Sequence, residues 1–474
     1  MRRLPVWQVA LAAAMTLAGS PAPSEAAPAQ QSVKGPDGRM KADILVVVAH
    51  PDDEGGITPY LARAIYDLRK RVAVVFLTRG GSGGNDYSRE HGPALADIRE
   101  QEARSACAKL GIGNVWFLEG QDTASQNVLS SLANWGHGRN LEALVRIVRL
   151  TRPDVIITWL PGIFIGENHG DHQAAGVLAT EAFDLAGDAA VFPAQVAGAT
   201  KRLELYLENP TPWRAKKLYY FSDADEQKPF SGTGPAYAIR EISPSQKKPY
   251  WRLAMEAAMP HLTQFPEVEK FEKMNEAELE TFFADPKNMF WPDPMTLTLG
   301  ESRVKGLPGG DVFEGIAPEG DTGAAGACEE RARRYEEPPE TALSLGGPWA
   351  FYREFKKRWC VRVPEPKVPE IAVKAGTTLV VPLLVEHGHG RALALKVEPA
   401  VPEGWSVARG AGTFSLPEAN RTDLAVEVVT PELTKEQLSK LGPQEVTVRA
   451  SVDGKPAGEV RLKVLLKSSA LPQN

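Results

Sequence analysis

Ile44-Leu45-Val46-Val47-Val48-Ala49-His50-Pro51-Asp52-Asp53-Glu54 joins two kinds of sequence. The first half is an unbroken aliphatic run, as a parallel strand covered on both faces requires. The second half sets an imidazole and three carboxylates where that strand ends. Open parallel sheets bind ligands beyond the carboxyl ends of their strands, so this junction is where a site would be built. Taken alone, the acids would suit the first turn of a helix equally well, because the helix dipole favours them there.

The flanking sequence resolves that choice. Tyr60, Leu61, Ala64, Ile65 and Leu68 recur at helical spacing, and Val72 to Leu77 is a second buried strand. Leu95 to Leu110 reads as a helix, Val115 to Leu118 as a strand, Leu141 to Leu150 as a helix and Val155 to Leu160 as a strand. His172 to Ala186 follows as another helix. Strands alternating with helices predict a doubly wound α/β fold, a mostly parallel sheet with helices on both faces. A second polar cluster, Asn168-His169-Gly170-Asp171-His172, follows the fourth strand and falls on the same sheet edge as the first. Three of the chain's eight histidines thus converge with four carboxylates, which a capping role does not explain. Gly80-Gly81-Ser82-Gly83-Gly84 lacks the Lys-Ser/Thr of a phosphate loop and is read as a rim loop near the substrate. Arg99 is a candidate substrate-binding residue; the alternative is an ion pair with Glu102 along the helix.

Helical patterns between about residues 250 and 290 close at Pro292 and Pro294, and Gly, Pro and charge dominate after residue 300. Leu379 to Val381, Leu393 to Val397, Leu424 to Val428 and Val446 to Val448 are then short strands separated by turns, which predicts an all-β sandwich of immunoglobulin type. The expected organisation is a leader over residues 1–26, a linker over 27–41, a catalytic domain over 42–300, an irregular extension over 301–364 and the sandwich over 365–474. The Pro-rich junction Val363-Pro364-Glu365-Pro366 predicts that residues 27–364 fold and act without the sandwich.

Arg2, Arg3, the apolar run Val6 to Ala18 and the small residues near Ala26 have the three parts of a secretory signal peptide. The expected location is therefore secreted or periplasmic, with no integral membrane span once the leader is removed. A net charge of −6 argues against a nucleic-acid partner. Three cysteines with no C-x-x-C argue against a thiolate metal site, and Cys328 and Cys360 are placed where a bridge would restrain a weakly structured segment.

Imidazoles and carboxylates together suit a catalytic zinc, which takes three such ligands and leaves a position for water. Amide hydrolysis further needs a base for the water and a donor for the developing oxyanion or leaving amine. Spacing does not say whether Asp52 or Asp53 is the ligand. The pairing of His50-Pro51-Asp52-Asp53-Glu54 with His169-Gly170-Asp171-His172 resembles the signature of the PIG-L/LmbE family, zinc-dependent de-N-acetylases of Rossmann-like fold. Arg99, Glu102, Leu110-Gly111, Gly120-Gln121-Asp122 and Ala257 to Gln264 extend the likeness over roughly residues 42–265. The resemblance implies that His50, Asp53 and His172 bind zinc, Asp52 is the general base, His169 is the acid or oxyanion donor, and Asp171 orients His169. It further implies an N-acetylated sugar or glycoconjugate as substrate. Gly170 departs from the family's frequent proline, which should loosen that loop. The rival readings are a zinc hydrolase of another N-acyl or amide substrate, and a carbohydrate-binding protein with a relic site. Asp52 speaks against the second, since binding alone needs no base beside the metal.

Overall fold

The aliphatic run is strand β1, Ile44–Val48, buried along its whole length. A computed structural model describes residues 35–124, 126–163, 169–196, 208–222, 233–317, 341–361, 366–388, 392–417 and 420–468. The leader and residues 27–34 of the linker lie outside these. β1 pairs in parallel with β2, Val72–Thr78, which pairs in parallel with β3, Asn114–Gly120. On its other side β1 takes β4, Val155–Trp159, and β4 takes β5, Lys217–Phe221, both in parallel. After a two-stranded ribbon of β6, Ala236–Tyr237, and β7, Met295–Thr296, the edge strand β8, Thr298–Ser302, closes the sheet antiparallel to β5. The order is β3-β2-β1-β4-β5-β8.

Parallel crossovers are right-handed. The run outward from β1 to β3 therefore puts α1, Thr58–Ala62, and α2, Pro93–Lys109, on one face. Reversal toward β4 and β5 puts α3, Val128–Trp135, α4, His137–Thr151, and α5, Gly170–Leu185, on the other. Later helices α6, Tyr250–Ala258, α7, Val268–Glu272, and α8, Glu276–Ala284, follow, and α6 packs on α1 and α2. The direction of winding reverses between β1 and β4, and the two polar clusters lie beyond those two strand ends. β5 is absent from the sequence reading. Its Lys217, Tyr219 and Tyr220 look half-exposed in a pattern of hydropathy, yet all five of its residues are buried, with the Tyr220 hydroxyl bonded to Thr180 Oγ1 at 2.8 Å.

The C-terminal region begins earlier than expected. β9, Ala342–Leu345, pairs antiparallel with β11, and α9, Gly347–Trp359, follows it. The remaining strands are β10, Glu370–Lys374, β11, Thr378–His387, β12, Leu393–Ala400, β13, Ser406–Arg409, β14, Gly412–Leu416, β15, Asn420–Val429, β16, Gln444–Val452, and β17, Lys455–Lys467. They form sheets β10-β17-β16-β12-β14 and β13-β15-β11-β9. Leu383 and Val385 of one sheet share a core with Leu395, Val448 and Val464 of the other. Every pair is antiparallel except β10 with β17. The expected boundary at residue 365 is therefore corrected: four alternating residues at β9 are too short a signal to identify a strand from sequence alone. α9 also packs on α3 and α5, and Tyr352 Oη donates to Gln173 Oε1 at 2.8 Å. Cys107 is buried and reduced, Cys360 is disulfide-bonded, and Cys328 lies outside the described residues. Among the described residues no helix is long and apolar enough to cross a membrane.

Candidate active site

At the end of β1 the chain turns sharply through Asp52, whose φ of 116° is a strained conformation for a residue with a Cβ. The turn is held from several sides. Asp52 N donates to Glu54 Oε2 at 3.1 Å, and Glu54 Oε1 pairs with His261 Nε2 at 2.7 Å. Arg99 Nη2 donates to Pro51 O at 2.6 Å and to Asp52 Oδ1 at 3.0 Å, while Nη1 donates to Gly80 O at 3.0 Å. Arg99 is 1% exposed. Its guanidinium faces inward, on the Asp52 carboxylate and two carbonyls, so the residue expected to touch substrate is instead bonded to the Asp52 turn. The alternative pairing with Glu102 is also replaced, because Glu102 accepts from Thr263 N at 2.9 Å and Thr263 Oγ1 at 2.6 Å. That contact fixes the stretch carrying His261.

Asp53 divides its two oxygens. Oδ2 accepts from Ala49 N and His50 N at 2.9 Å each and from Trp159 Nε1 at 2.8 Å. Oδ1 lies 3.6 Å from His50 Nδ1 and 3.3 Å from His172 Nε2. Atoms that share a tetrahedral zinc at 2.0–2.1 Å lie about 3.3 Å apart, and each of these two separations is of that size. Trp159 also stacks on the His172 ring at 4.1 Å with planes 4° apart, which fixes the imidazole's orientation. His169 precedes the first turn of α5, and its Nε2 lies 2.9 Å from Thr123 O. A carbonyl only accepts, so Nε2 carries the hydrogen and Nδ1 is the nitrogen able to gain or lose a proton. Among the described residues, ligand atoms of His50, His169 and His172 lie within 4.8 Å of one another, as do those of His50, Asp122 and Asp171, and these are the two groupings that could hold a metal.

Behind His50 stands a carboxylate pair. Its Nε2 is 3.2 Å from Asp122 Oδ1 and 3.4 Å from Asp171 Oδ2. Asp171 also accepts from Thr123 N at 2.9 Å and Thr123 Oγ1 at 3.0 Å. The hydrogen bonds of Asp171 thus bear on His50 directly and reach His169 through Thr123, whereas the sequence links it to His169 alone. Orienting a ligand imidazole from its far nitrogen is a usual task of such carboxylates. Asp122, Thr123, Glu54, Trp159 and His261 are site residues to which the sequence reading gave no role. In the sequence, Gly120-Gln121-Asp122 and the stretch around His261 carry only a likeness to the family.

The glycine loop is tied inward. A Cβ at Gly80 would lie 2.7 Å from the Arg99 guanidinium, and φ there is +69°. Ser82 N and Oγ donate to Asp122 Oδ2 and O, each at 2.7 Å. The loop therefore covers Arg99 and anchors Asp122, and its Ser82 N–H is already committed to a carboxylate. Gly170 likewise serves packing: a Cβ there would meet Ser131 Oγ at 2.6 Å and Asn127 O at 2.9 Å, so α5 sits against α3 only without a side chain. The expected loosening is corrected to a tight helix contact.

The two neighbouring aspartates are driven apart electrostatically. Burial pushes the Asp52 carboxyl up; Arg99 opposes this, Asp53 reinforces it, and the net direction is upward. Burial acts the same way on Asp53, but His172 and His50 outweigh it and hold the carboxyl well below the usual range. Asp122 falls to about 2, because His50 and the Ser82 N–H overcome its burial. Burial disfavours the charged His50 ring, yet Asp53, Asp122 and Asp171 hold it well above the ordinary imidazole value. Surroundings that push two neighbouring carboxyls in opposite directions suit them to different protonation states at one pH. Beside Asp52 and Trp159 opens a cavity of about 320 Å³.

The GlcNAc-PI de-N-acetylase (PIG-L) family model matches residues 45–183. A 1D-myo-inositol 2-acetamido-2-deoxy-alpha-D-glucopyranoside deacetylase 2 from Frankia alni is 32% identical over 211 residues, 40% of this chain and 69% of that protein. The chain belongs to the PIG-L family. Deacetylase 1 of the same name from Frankia alni is 32% identical over 188 residues, 36% of this chain and 59% of that protein. This PIG-L chain spans between 54% and 59% of the length of the first curated relatives it matches. The solved N,N'-diacetylchitobiose deacetylase from Pyrococcus horikoshii aligns at 19% identity over 59% of this PIG-L chain and 88% of its own, with a TM-score of 0.36.

Proposed function

We propose that this protein is an exported, zinc-dependent de-N-acetylase that hydrolyses the acetamide of an N-acetylated sugar or sugar conjugate. The observation that carries the reading is Asp53 Oδ1 set 3.3 and 3.6 Å from His172 Nε2 and His50 Nδ1, with Asp52 next in the chain. His50, Asp53 and His172 would hold the ion, and Asp122 and Asp171 would orient His50. Zinc in such a site polarises an amide carbonyl and acidifies a water. Asp52 takes a proton from the attacking water; its upward-shifted carboxyl makes it a better base than an ordinary aspartate. His169, protonated on Nδ1, donates to the developing oxyanion or the departing amine. The C–N bond breaks, a C–O bond to water forms, and acetate and a free amine leave. The relatives' names supply the substrate class, and the basic, apolar and small-residue pattern of residues 1–26 supports export.

The test is acetate release from N-acetylated glycans with and without chelator, together with metal analysis. About one zinc per chain is expected, lost in His50→Ala and His172→Ala. The three imidazoles within 4.8 Å of one another favour a second ligand set, with His169 in place of Asp53. Retention of zinc in Asp53→Asn with its loss in His169→Ala would select that set. Chelator-resistant turnover would overturn the metal reading altogether.

A further inference from the structure

The cavity beside Asp52 is larger and more apolar than an acetyl group needs. An acetyl methyl is about the size of one water, whose share of liquid volume is ~30 Å³, so acetyl leaves most of 320 Å³ unfilled. Leu110, Met255, Phe265, Phe290 and Trp291 line it, and Phe290 is 49% exposed, so the wall reaches the surface. Several polar groups on the wall are already engaged by protein. Thr58 Oγ1 donates to Glu54 O at 2.8 Å, Glu54 pairs with His261, and Gln264 Nε2 donates to Gly84 O at 2.8 Å. A sugar ring carries a hydroxyl on nearly every carbon and would lose those hydrogen bonds on entering such a space. Of the two halves of an N-acylated sugar, only the acyl half is hydrocarbon.

Resting on the amide-hydrolase reading above, we propose that this cavity receives the acyl chain, so that the protein removes N-acyl groups longer than acetyl from amino sugars. The space suits a chain of up to roughly ten carbons, at ~30 Å³ for each water-sized group. Chemistry at the amide is unchanged: water adds its oxygen to the acyl carbon, the C–N bond breaks, and a fatty carboxylate and an amine leave. The base Asp52 lines the same cavity, so the chain extends away from the reacting carbon along a wall that the base already borders.

The experiment uses the full zinc-loaded chain and glucosamine carrying N-acetyl, N-butyryl, N-hexanoyl or N-octanoyl groups, with amine release followed. Each buried methylene should raise kcat/KM about fourfold, equivalent to ~0.8 kcal/mol, and hexanoyl should exceed acetyl on the order of a hundredfold. Ala258→Phe, which fills the cavity from its wall, should cut the hexanoyl-to-acetyl ratio at least about tenfold by the same methylene arithmetic. A flat or falling series in the wild type overturns the proposal while leaving the deacetylase reading intact. Calorimetric binding of acetate and hexanoate separates the opposite failure. If no substrate is turned over, hexanoate binding tighter than acetate and weakened by Ala258→Phe still supports an acyl cavity, and equal binding overturns it.

Discussion

Asp52 and Asp53 share a peptide bond, and their surroundings differ in one decisive respect. Asp53 is flanked by two imidazoles, whereas the nearest cation to Asp52 is Arg99, at 3.0 Å. Asp52→Asn should keep zinc and fold but lose turnover on the order of 10²- to 10⁴-fold, the usual worth of a positioned base. Metal analysis and kcat measured together check this, and zinc loss in that variant with retention in Asp53→Asn would exchange the two roles. Arg99 favours the charged form of Asp52, so removing its charge favours the protonated form. Activity requires the base deprotonated and falls as pH drops through its pKa. Arg99→Met should therefore move the acid limb of the kcat/KM profile to higher pH, whereas Arg99→Lys should move it less, since the charge is kept but the forked contact to Pro51 O and Gly80 O is not. An unmoved limb in Arg99→Met would leave Arg99 a purely structural residue.

At the scale of elements, α5 carries three candidate site residues, His169, Asp171 and His172, in its first turn or just before it. It can do so because it lies close against α3 at Gly170. Proline at that position suits the first turn of a helix, and alanine suits a helix better than glycine, so intrinsic preference predicts that either substitution stabilises. The contacts predict the reverse. A methyl at Gly170 meets the Ser131 hydroxyl and the Asn127 carbonyl at under 3.0 Å, and overpacking of that kind typically costs about 1–3 kcal/mol. Gly170→Ala should thus lower stability in urea unfolding and shift His169 and His172 enough to weaken zinc binding. A variant as stable as the parent would show that α3 yields at little cost.

Across the whole molecule, the β-sandwich and the α/β sheet are joined by more than a linker. β9 belongs to a sandwich sheet, α9 after it packs on α3 and α5, and Tyr352 bonds the residue next to His172. Truncation at residue 364 would leave Leu343 and Leu345 of β9 without β11. The expectation that residues 27–364 act alone is therefore replaced: that truncated chain should show lower thermal stability and aggregate, with reduced zinc affinity. Tyr352→Phe in the full chain isolates the tie and should cost about 0.5–1.5 kcal/mol, the net worth of one hydrogen bond. Differential scanning calorimetry of both, with a titration of zinc, checks the argument, and a truncated chain that melts like the parent would restore the autonomous catalytic domain.

The local sequence determined what short-range physics can encode. Unbroken aliphatic runs marked β1, β2 and β4, because a strand buried on both faces has no polar side to show. The order of strands and helices placed two polar clusters beyond the ends of β1 and β4, since winding reverses between them. His50, Asp52, Asp53, His169 and His172 were legible for that reason. Only the tertiary structure decided which oxygen of Asp53 faces the imidazoles, that Asp122 and Asp171 both bear on His50, and that His261 supports the strained Asp52 turn through Glu54. The contacts made by Asp122, Asp171, His172 and His261 span between 72 and 207 residues, and no periodicity links such positions. The surroundings of Arg99 and Gly170 differ from the sequence-based expectation on the same ground. A guanidinium aimed inward and a glycine pressed against another helix are properties of neighbours that the chain brings together only when folded.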